Sequence, residues 1–360
     1  MRSCRGGMTT GSFGGRGGMA ASSSAAWSKW QSFSLSHLRS SMDFHIRKII
    51  SSTSATSFFP LYHVRGGLYI PCSPVDNPPA PCYNVPIENE VTHMRHYGLI
   101  GEKLGHSLSR PIHEAIFREM GVNADYRIIE IPRGDFVPRT KELLDTLDGF
   151  NVTIPYKQDV MPLLSAIDPA AAEIGAVNTV LCGTSTGFNT DAAGFMGMLR
   201  HYGIDPTGAE YSYILGSGGT AKTVLASLRM MGADKVITVS RHPEGEGQIS
   251  YAAFYELFAQ TGGTIVNASS AGMWPRQDED NICAIHPSRV DEMMKYALGV
   301  ADVVYNPPHT FLTQAAERAG VPWCTGLYML VAQAVEAEKL WLKRDIPDEL
   351  ILKIMQEVAI

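Results

Sequence analysis

The sequence predicts an α/β protein built as two sheet-and-helix units, and three observations carry that expectation. Short apolar runs alternate with amphipathic stretches from Tyr97 onward, the alternation restarts at Tyr211, and after Gly326 the pattern is almost wholly helical to Ile360. Such alternation is the signature of βαβ units, in which a strand returns parallel to its neighbour through a crossover helix. A chain of 360 residues, 45% of them hydrophobic, has material for two cores of ordinary size.

In the first series Tyr97–Ile100 reads as a strand. Ile112, Ile116, Phe117 and Met120 recur at helical spacing, and Gly121 stops that helix. Tyr126–Ile131 is the next strand, Lys141–Leu147 the end of a helix, and Phe150–Ile154 and Val177–Cys182 are further strands. Phe195, Met198, Leu199 and Tyr202 mark a helix ending at Gly203. In the second series Tyr211–Leu215 is a strand, and Ala221–Met231 is a helix with Val224, Leu225, Leu228 and Met231 on one face. Lys235–Ser240, Thr264–Asn267 and Asp302–Tyr305 read as strands, and Thr310–Gly320 as a helix. The closing helices have no strand between them, so they are expected to leave the second sheet and pack back on the first unit. The expected division is 94–195, 196–325 and 326–360, the last completing the first.

Residues 1–93 stand apart. They hold eight Lys/Arg against four Asp/Glu, so a segment of +4 precedes a body of −10. Seven of the 21 prolines fall between Pro60 and Pro86 and no period is sustained, so no packed fold is expected there. Two readings remain open. Scarce acids with Arg and Ser are the signature of a transit peptide of plastid type; the alternative is a functionless stretch upstream of a true start at Met94.

Composition excludes several classes. A net charge of −6 gives no reason to expect nucleic acid as a partner, and no run approaches the ~18 apolar residues of a membrane span. The six cysteines form no CxxC pair, which suits reduced thiols in a cytoplasmic protein. His106 and His113 lack a carboxylate or cysteine to complete a metal site, so none is expected. The sequons at Asn151 and Asn267 lie at strand ends of a chain with no evident secretory signal, so glycosylation is set aside. A small-molecule substrate and a monomer or homodimer are the expected partners and assembly.

Gly216-Ser217-Gly218-Gly219-Thr220-Ala221 follows the strand Tyr211–Leu215 and opens a helix. The pattern GxGxxG/A supplies a tight turn, backbone approach to a pyrophosphate and a small residue for packing. The helix start adds free N–H groups and partial positive charge. The next strand ends in Ser240-Arg241-His242 with no acid. A carboxylate there would repel a 2′-phosphate, whereas Arg241 can pair with one, so NADP is the expected cofactor; otherwise Arg241 is a solvated surface charge.

Four polar segments precede this turn. Ser107 and Ser109, two residues apart beside a helix start, can both donate to a carboxylate, or Ser109 simply caps the helix. Asn151-Val152-Thr153-Ile154-Pro155-Tyr156-Lys157 ends a strand, and Asn178-Thr179 and Asn189-Thr190-Asp191 follow. Singly, Lys157 reads equally as a surface lysine and Asp191 as a helix cap.

Taken together these segments resemble the shikimate dehydrogenase family along the whole of 94–360. The matching stretches, in family order, are GEKLGHSLS, GFNVTIPYK, GAVNTV, GFNTDAAG, LGSGGTAKT, NASSAGM, VVYNPPHT and GLYMLVAQA. The resemblance implies an α/β substrate domain, a Rossmann-like NADP domain and terminal helices returning to the first. It puts Ser107 and Ser109 on the substrate carboxylate, and Thr153, Asn178 and Gln333 on ring hydroxyls. It makes Lys157 and Asp191 the catalytic pair, brings Tyr305 and Gly326 to the cleft and sets Met273 beside the nicotinamide. NADP would be held by Gly216, Ser217, Gly218, Gly219, Thr220, Ser240 and Arg241.

The implied activity is the reversible NADP-dependent reduction of 3-dehydroshikimate to shikimate, a step towards chorismate and the aromatic amino acids. A quinate/shikimate dehydrogenase using NAD is the alternative. A silent sensor of the nucleotide or ring acid would not need Lys157 and Asp191, and an enzyme acting on a folate gives no reason for the two serines. Two residues depart from the family pattern. Arg110 stands where the family usually has Pro, which would tilt the first helix or add charge near the carboxylate site. Tyr328 stands where a small residue is usual, which would narrow the cleft.

Overall fold

The computed structural model describes residues 94–105, 107–275 and 281–358, and before them two short strands, Tyr62–Val64 and Gly67–Tyr69. These two pair antiparallel, Tyr62 opposite Tyr69 and Val64 opposite Gly67, where no strand was expected. Glycines beside β-forming residues signal a turn in the sequence, and the proline-rich surroundings obscured it. Otherwise the expectations for 1–93 lie outside the described residues. The chain divides into Met1–Asn89 and Glu90–Ile360.

The second of these units holds two six-stranded sheets. The first runs β1 (Arg95–Gly101), α1 (Ser109–Met120), β2 (Ala124–Glu130), α2 (Phe136–Thr146), β3 (Gly149–Val152), β4 (Ala166–Ile167), α3 (Pro169–Ile174), β5 (Thr179–Leu181) and β6 (Thr186–Phe188), then α4 (Thr190–His201). Its order is β2-β1-β3-β5-β6-β4. β1 is parallel to β2 and β3, but β5 runs antiparallel to both β3 and β6, so the sheet is mixed where parallel units were expected. β5 and β6 are joined by one tight turn through Ser185, too short for a crossover helix, and only antiparallel pairing can follow.

The second sheet is wholly parallel. β7 (Tyr211–Leu215), α5 (Gly219–Met230), β8 (Lys235–Val239), β9 (Gln248–Ile249), α6 (Tyr251–Thr261), β10 (Gly263–Asn267), α7 (Pro287–Met293), β11 (Ala297–Asp302), α8 (Phe311–Ala319) and β12 (Trp323–Thr325) give the order β9-β8-β7-β10-β11-β12. Two βαβ halves meet at β7, the arrangement of a dinucleotide-binding sheet. The strand expected over Asp302–Tyr305 lies earlier, at Ala297–Asp302. Asp302 accepts from the Val304 N–H (3.0 Å) and the Thr310 hydroxyl (2.7 Å), which turns the chain out of the sheet. Val304 is apolar because that turn is buried, not because it pairs. β12 escaped notice as a three-residue strand.

The closing helices, α9 (Leu327–Leu342) and α10 (Glu349–Val358), return to the first sheet as expected. One apolar cluster joins Ile112 and Ile116 of α1, Phe195 and Met198 of α4, Val224 and Leu228 of α5, and Val331 and Val335 of α9. Trp341 donates from its indole nitrogen to the Val180 carbonyl of β5 (2.9 Å) and stacks on Tyr97 of β1 (4.6 Å), which fixes the far end of α9. Among the described residues no helix is long and apolar enough to cross a membrane.

Candidate active site

Topology gathers the four polar segments on one edge. Ser107 and Ser109 follow the C-terminal end of β1, Thr153 and Lys157 that of β3, and Asp191 that of β6; β5 runs the other way, so Asn178 at its start reaches the same edge. In α/β sheets ligands sit beyond these strand ends. The same rule places Gly216, Ser240, Met273, Tyr305 and Gly326 beyond the C-terminal ends of β7, β8, β10, β11 and β12.

Lys157 and Asp191 meet. The Lys157 ammonium lies 2.6 Å from Oδ2 of Asp191, with the side chains 27% and 16% exposed. Asp191 is not the helix cap: Asn189 fills that role, accepting from the Ala192 N–H (3.2 Å). That leaves the Asp191 carboxylate, on the first turn of α4, free to hold the lysine. The Lys157 carbonyl accepts from Val177 N–H (2.8 Å), which fixes the base of the lysine stem. Two ammonium protons and one carboxylate oxygen remain for a ligand.

Behind the pair lies a buried polar network. Asn178 accepts at Oδ1 from the Thr190 N–H (2.7 Å) and donates from Nδ2 to the Thr190 hydroxyl (3.0 Å) and to Oε1 of Gln333 (3.5 Å). Gln333, on α9, is thus brought to Asn178. Asn151 donates to Thr179 (2.9 Å) and accepts from the Tyr126 hydroxyl (2.7 Å). Burial raises the Tyr126 phenol pKa, and the Ser109 hydroxyl works against that rise. Ser107 donates to Ser109 Oγ (3.1 Å) and accepts from the Ser109 N–H (3.2 Å), so Ser109 opens α1 from inside the helix rather than capping it. Thr153 donates from its backbone to the Ile100 carbonyl (2.9 Å), and its methyl group lies against Gly101. From sequence Tyr126 was read only as a strand residue, and Asn151, Thr179 and Thr190 only as members of the polar segments, none of them with a role in the site. For Asn151 the signal was a polar residue at a strand position between two apolar ones, Phe150 and Val152.

The nucleotide turn has the form its glycines demand. Gly216 holds φ at 109°, and a Cβ there would stand 3.1 Å from the Ser269 side chain. Gly218 caps α5 with no side-chain bond to its free N–H groups, and nothing lies within 4 Å of where a Cβ on Gly218 or Gly219 would point. With no side chain among the described residues capping its helix start, this open cradle fits a nucleotide pyrophosphate. The Ser240 hydroxyl lies 3.2 Å from that of Ser217 and accepts from His242 N–H, so it ties the two turns together. Thr220 is half-buried on the first turn of α5; Arg241 is exposed and makes no ion pair among the described residues. Gly326 donates to the Val304 carbonyl (3.1 Å) and passes so close to the turn after β11 that a Cβ would stand 2.0 Å from the Val303 oxygen. Tyr305 is half-buried, which raises its phenol pKa, and Met273 is partly exposed. Beneath them Asp302 is fully buried, and loss of solvent raises its carboxyl to about 7 against three donated hydrogen bonds.

The two departures are absorbed elsewhere. Arg110 points outward to Glu114 (2.7 Å), and α1 runs unbroken past it. Tyr328 stacks on His201 of α4 (4.7 Å) and lies over Gly197, so it fills a helix contact instead of narrowing a cleft. The sequon residues Asn151 and Asn267 are both buried. His106 lies outside the described residues, and His113 is buried against Glu338.

A turn shaped for a pyrophosphate, with a proton-handling pair at the strand ends of the neighbouring sheet, is what a nicotinamide-dependent oxidoreductase requires, and the fold defines that class. Comparisons with known proteins narrow it. The model of the shikimate dehydrogenase substrate binding domain matches residues 99–180. The shikimate dehydrogenase (NADP(+)) of Clostridium perfringens strain SM101 is 38% identical over 261 residues, covering 69% of this chain and 92% of that protein. A chorismate mutase/shikimate 5-dehydrogenase fusion protein from Clostridium acetobutylicum superposes with a TM-score of 0.66 at 34% identity, covering 74% of this chain and 97% of the other. The Thermus thermophilus shikimate 5-dehydrogenase, solved in complex with NADP(H) and shikimate, gives 0.62 at 27% identity, over 74% of this chain and all (100%) of that one. The chain belongs to the shikimate dehydrogenase family.

Proposed function

We propose that this chain catalyses the reversible NADP-dependent reduction of 3-dehydroshikimate to shikimate. The observation that carries the reading is the Lys157–Asp191 pair, 2.6 Å apart, on the edge that also bears Ser107, Ser109, Asn178 and Gln333. Bound NADPH supplies the hydride. The chain's own residues do the rest. The Lys157 ammonium stabilises the oxygen that gains negative charge and donates a proton to it, while Asp191 orients the ammonium and can return the proton. In the oxidative direction neutral Lys157 takes the hydroxyl proton. Ser107 and Ser109 hold the ring carboxylate; Thr153, Asn178 and Gln333 read the ring hydroxyls, and Tyr305 closes on the ring. The Gly216–Thr220 turn takes the pyrophosphate, Ser240 and Arg241 the 2′-phosphate, and Met273 and Gly326 flank the nicotinamide.

In this reading 94–195 with 326–360 is the substrate module, 196–325 is the nucleotide module, and the assembly is a monomer or homodimer. A cytoplasmic location belongs to the same reading, supported by the free buried thiols of Cys182, Cys283 and Cys324. The test is an initial-rate assay of the full chain with shikimate and with quinate, each against NADP+ and NAD+. Rapid turnover only with shikimate and NADP+ is expected. A folded protein that reduces NADP+ with neither acid would refute the proposal, and faster turnover with quinate and NAD+ would replace it.

A further inference from the structure

One buried ionisable pair has no part in that chemistry. Nδ1 of His113 on α1 lies 2.6 Å from Oε1 of Glu338 on α9, and both side chains are 0% exposed. Neither Nε2 of His113 nor Oε2 of Glu338 has any other partner among the described residues. Desolvation moves the imidazole down and the carboxyl up, so the pair is held net neutral around one proton shared across the contact. Such a contact is costly unless matched: removing one partner strands a buried polar group.

Its surroundings lead to the site in two directions. The His113 ring stacks on Tyr126 with centroids 4.1 Å apart at 7°, and the Tyr126 hydroxyl donates to Asn151 (2.7 Å), whose amide reaches Thr179 (2.9 Å) beside Asn178. Glu338 lies five residues after Gln333 on the same rigid helix, under one and a half turns away. The pair therefore joins the helix behind Ser109 to the helix that carries Gln333, 225 residues apart in sequence.

We propose that His113 and Glu338 are positioning residues that seat the Gln333 helix on the substrate sheet and so set the affinity for the ring acid without touching it. The inference rests on the proposed substrate. It separates from that reading because the contact lies wholly on the substrate side, away from Gly216 and Arg241.

Titration calorimetry on the full chain tests it, with shikimate and NADP+ as separate titrants against wild type, Glu338→Leu and Glu338→Gln. Glu338→Leu is expected to weaken shikimate binding roughly tenfold or more, the cost of one stranded buried group, while NADP+ affinity stays within about threefold. Glu338→Gln can still bond Nδ1 and is expected to restore shikimate affinity to within about threefold. Unchanged shikimate affinity in Glu338→Leu, or equal weakening of both ligands, would overturn the inference. Wild type that binds NADP+ but not shikimate would refute the substrate assignment instead. Should Glu338→Leu not fold, amide exchange of the wild type decides: shikimate must slow exchange in both Ser109–Met120 and Leu327–Leu342 where NADP+ does not, and no change in either helix overturns the inference.

Discussion

The two sheets build their sites in opposite ways. The second sheet makes its nucleotide cradle from backbone at one turn, with Gly216, Gly218 and Gly219 consecutive but for one serine and the donors supplied by the start of α5. The first sheet makes its site from side chains that arrive from far apart: Lys157 meets Asp191 across 34 residues, and Asn178 meets Gln333 across 155. A backbone cradle tolerates change at most side chains around it. A side-chain site depends on every strand and helix that carries a member, and the buried bonds of Thr190 to Thr179 and Asn178 tie those carriers together.

The largest expected difference between the halves comes from Lys157→Ala, which removes the proton donor on the substrate side. Turnover should fall by ~10³-fold or more while the KM for NADP+ stays near wild type; steady-state rates with each substrate varied in turn check this, and a near-normal rate would remove Lys157 from the chemistry. Arg241→Ala probes the other half. The KM for NADP+ should rise roughly 10–100-fold, the worth of a charge-assisted bond to phosphate, with NAD+ and shikimate little changed; a uniform loss would mean that Arg241 supports the fold and does not select the nucleotide. Gly326→Ala strikes where both halves meet. With the added carbon 2.0 Å from the Val303 oxygen the backbone must shift, at a cost of about 1–3 kcal/mol in thermal unfolding.

The remaining expected effect is a slope. The Asp302 carboxyl titrates at about 7 in the folded protein against 3.8 for an aspartate in water, so the native state holds a proton that the unfolded chain releases. Its contribution is fully present below the unfolded value and is lost as pH rises towards 7, at no more than about 1.4 kcal/mol per pH unit. Asp302→Asn keeps the acceptor for Asn267 and Val304 and should flatten that decline in chemical unfolding measured across pH 4–8. A slope identical to wild type would show that Asp302 does not carry the titration.

The same contrast explains what could be read from the sequence. The glycine turn and the missing acid after β8 are local, so the nucleotide half was visible residue by residue. On the substrate side only the family resemblance brought Gln333 to Asn178, because no periodicity reports a contact across that distance. The strand at Val177–Cys182 was read correctly but its antiparallel direction was not, because Thr179–Leu181 looks like any short apolar strand and direction is set by the length of its connections. The strand placed at Asp302–Tyr305 came from reading buried turn residues as paired ones. The partnership of His113 with Glu338 left no mark at all, since each sits in an ordinary helical pattern.

The most direct test is a crystal structure of the full chain with shikimate and NADP+ bound. The ring carboxylate should lie at Ser107 and Ser109, one ring hydroxyl about 3 Å from the Lys157 ammonium with Asp191 still in contact, and the nicotinamide on the opposite face of the reacting carbon. A ring acid seated away from Lys157, or held with its carboxylate towards the glycine turn, would contradict the account.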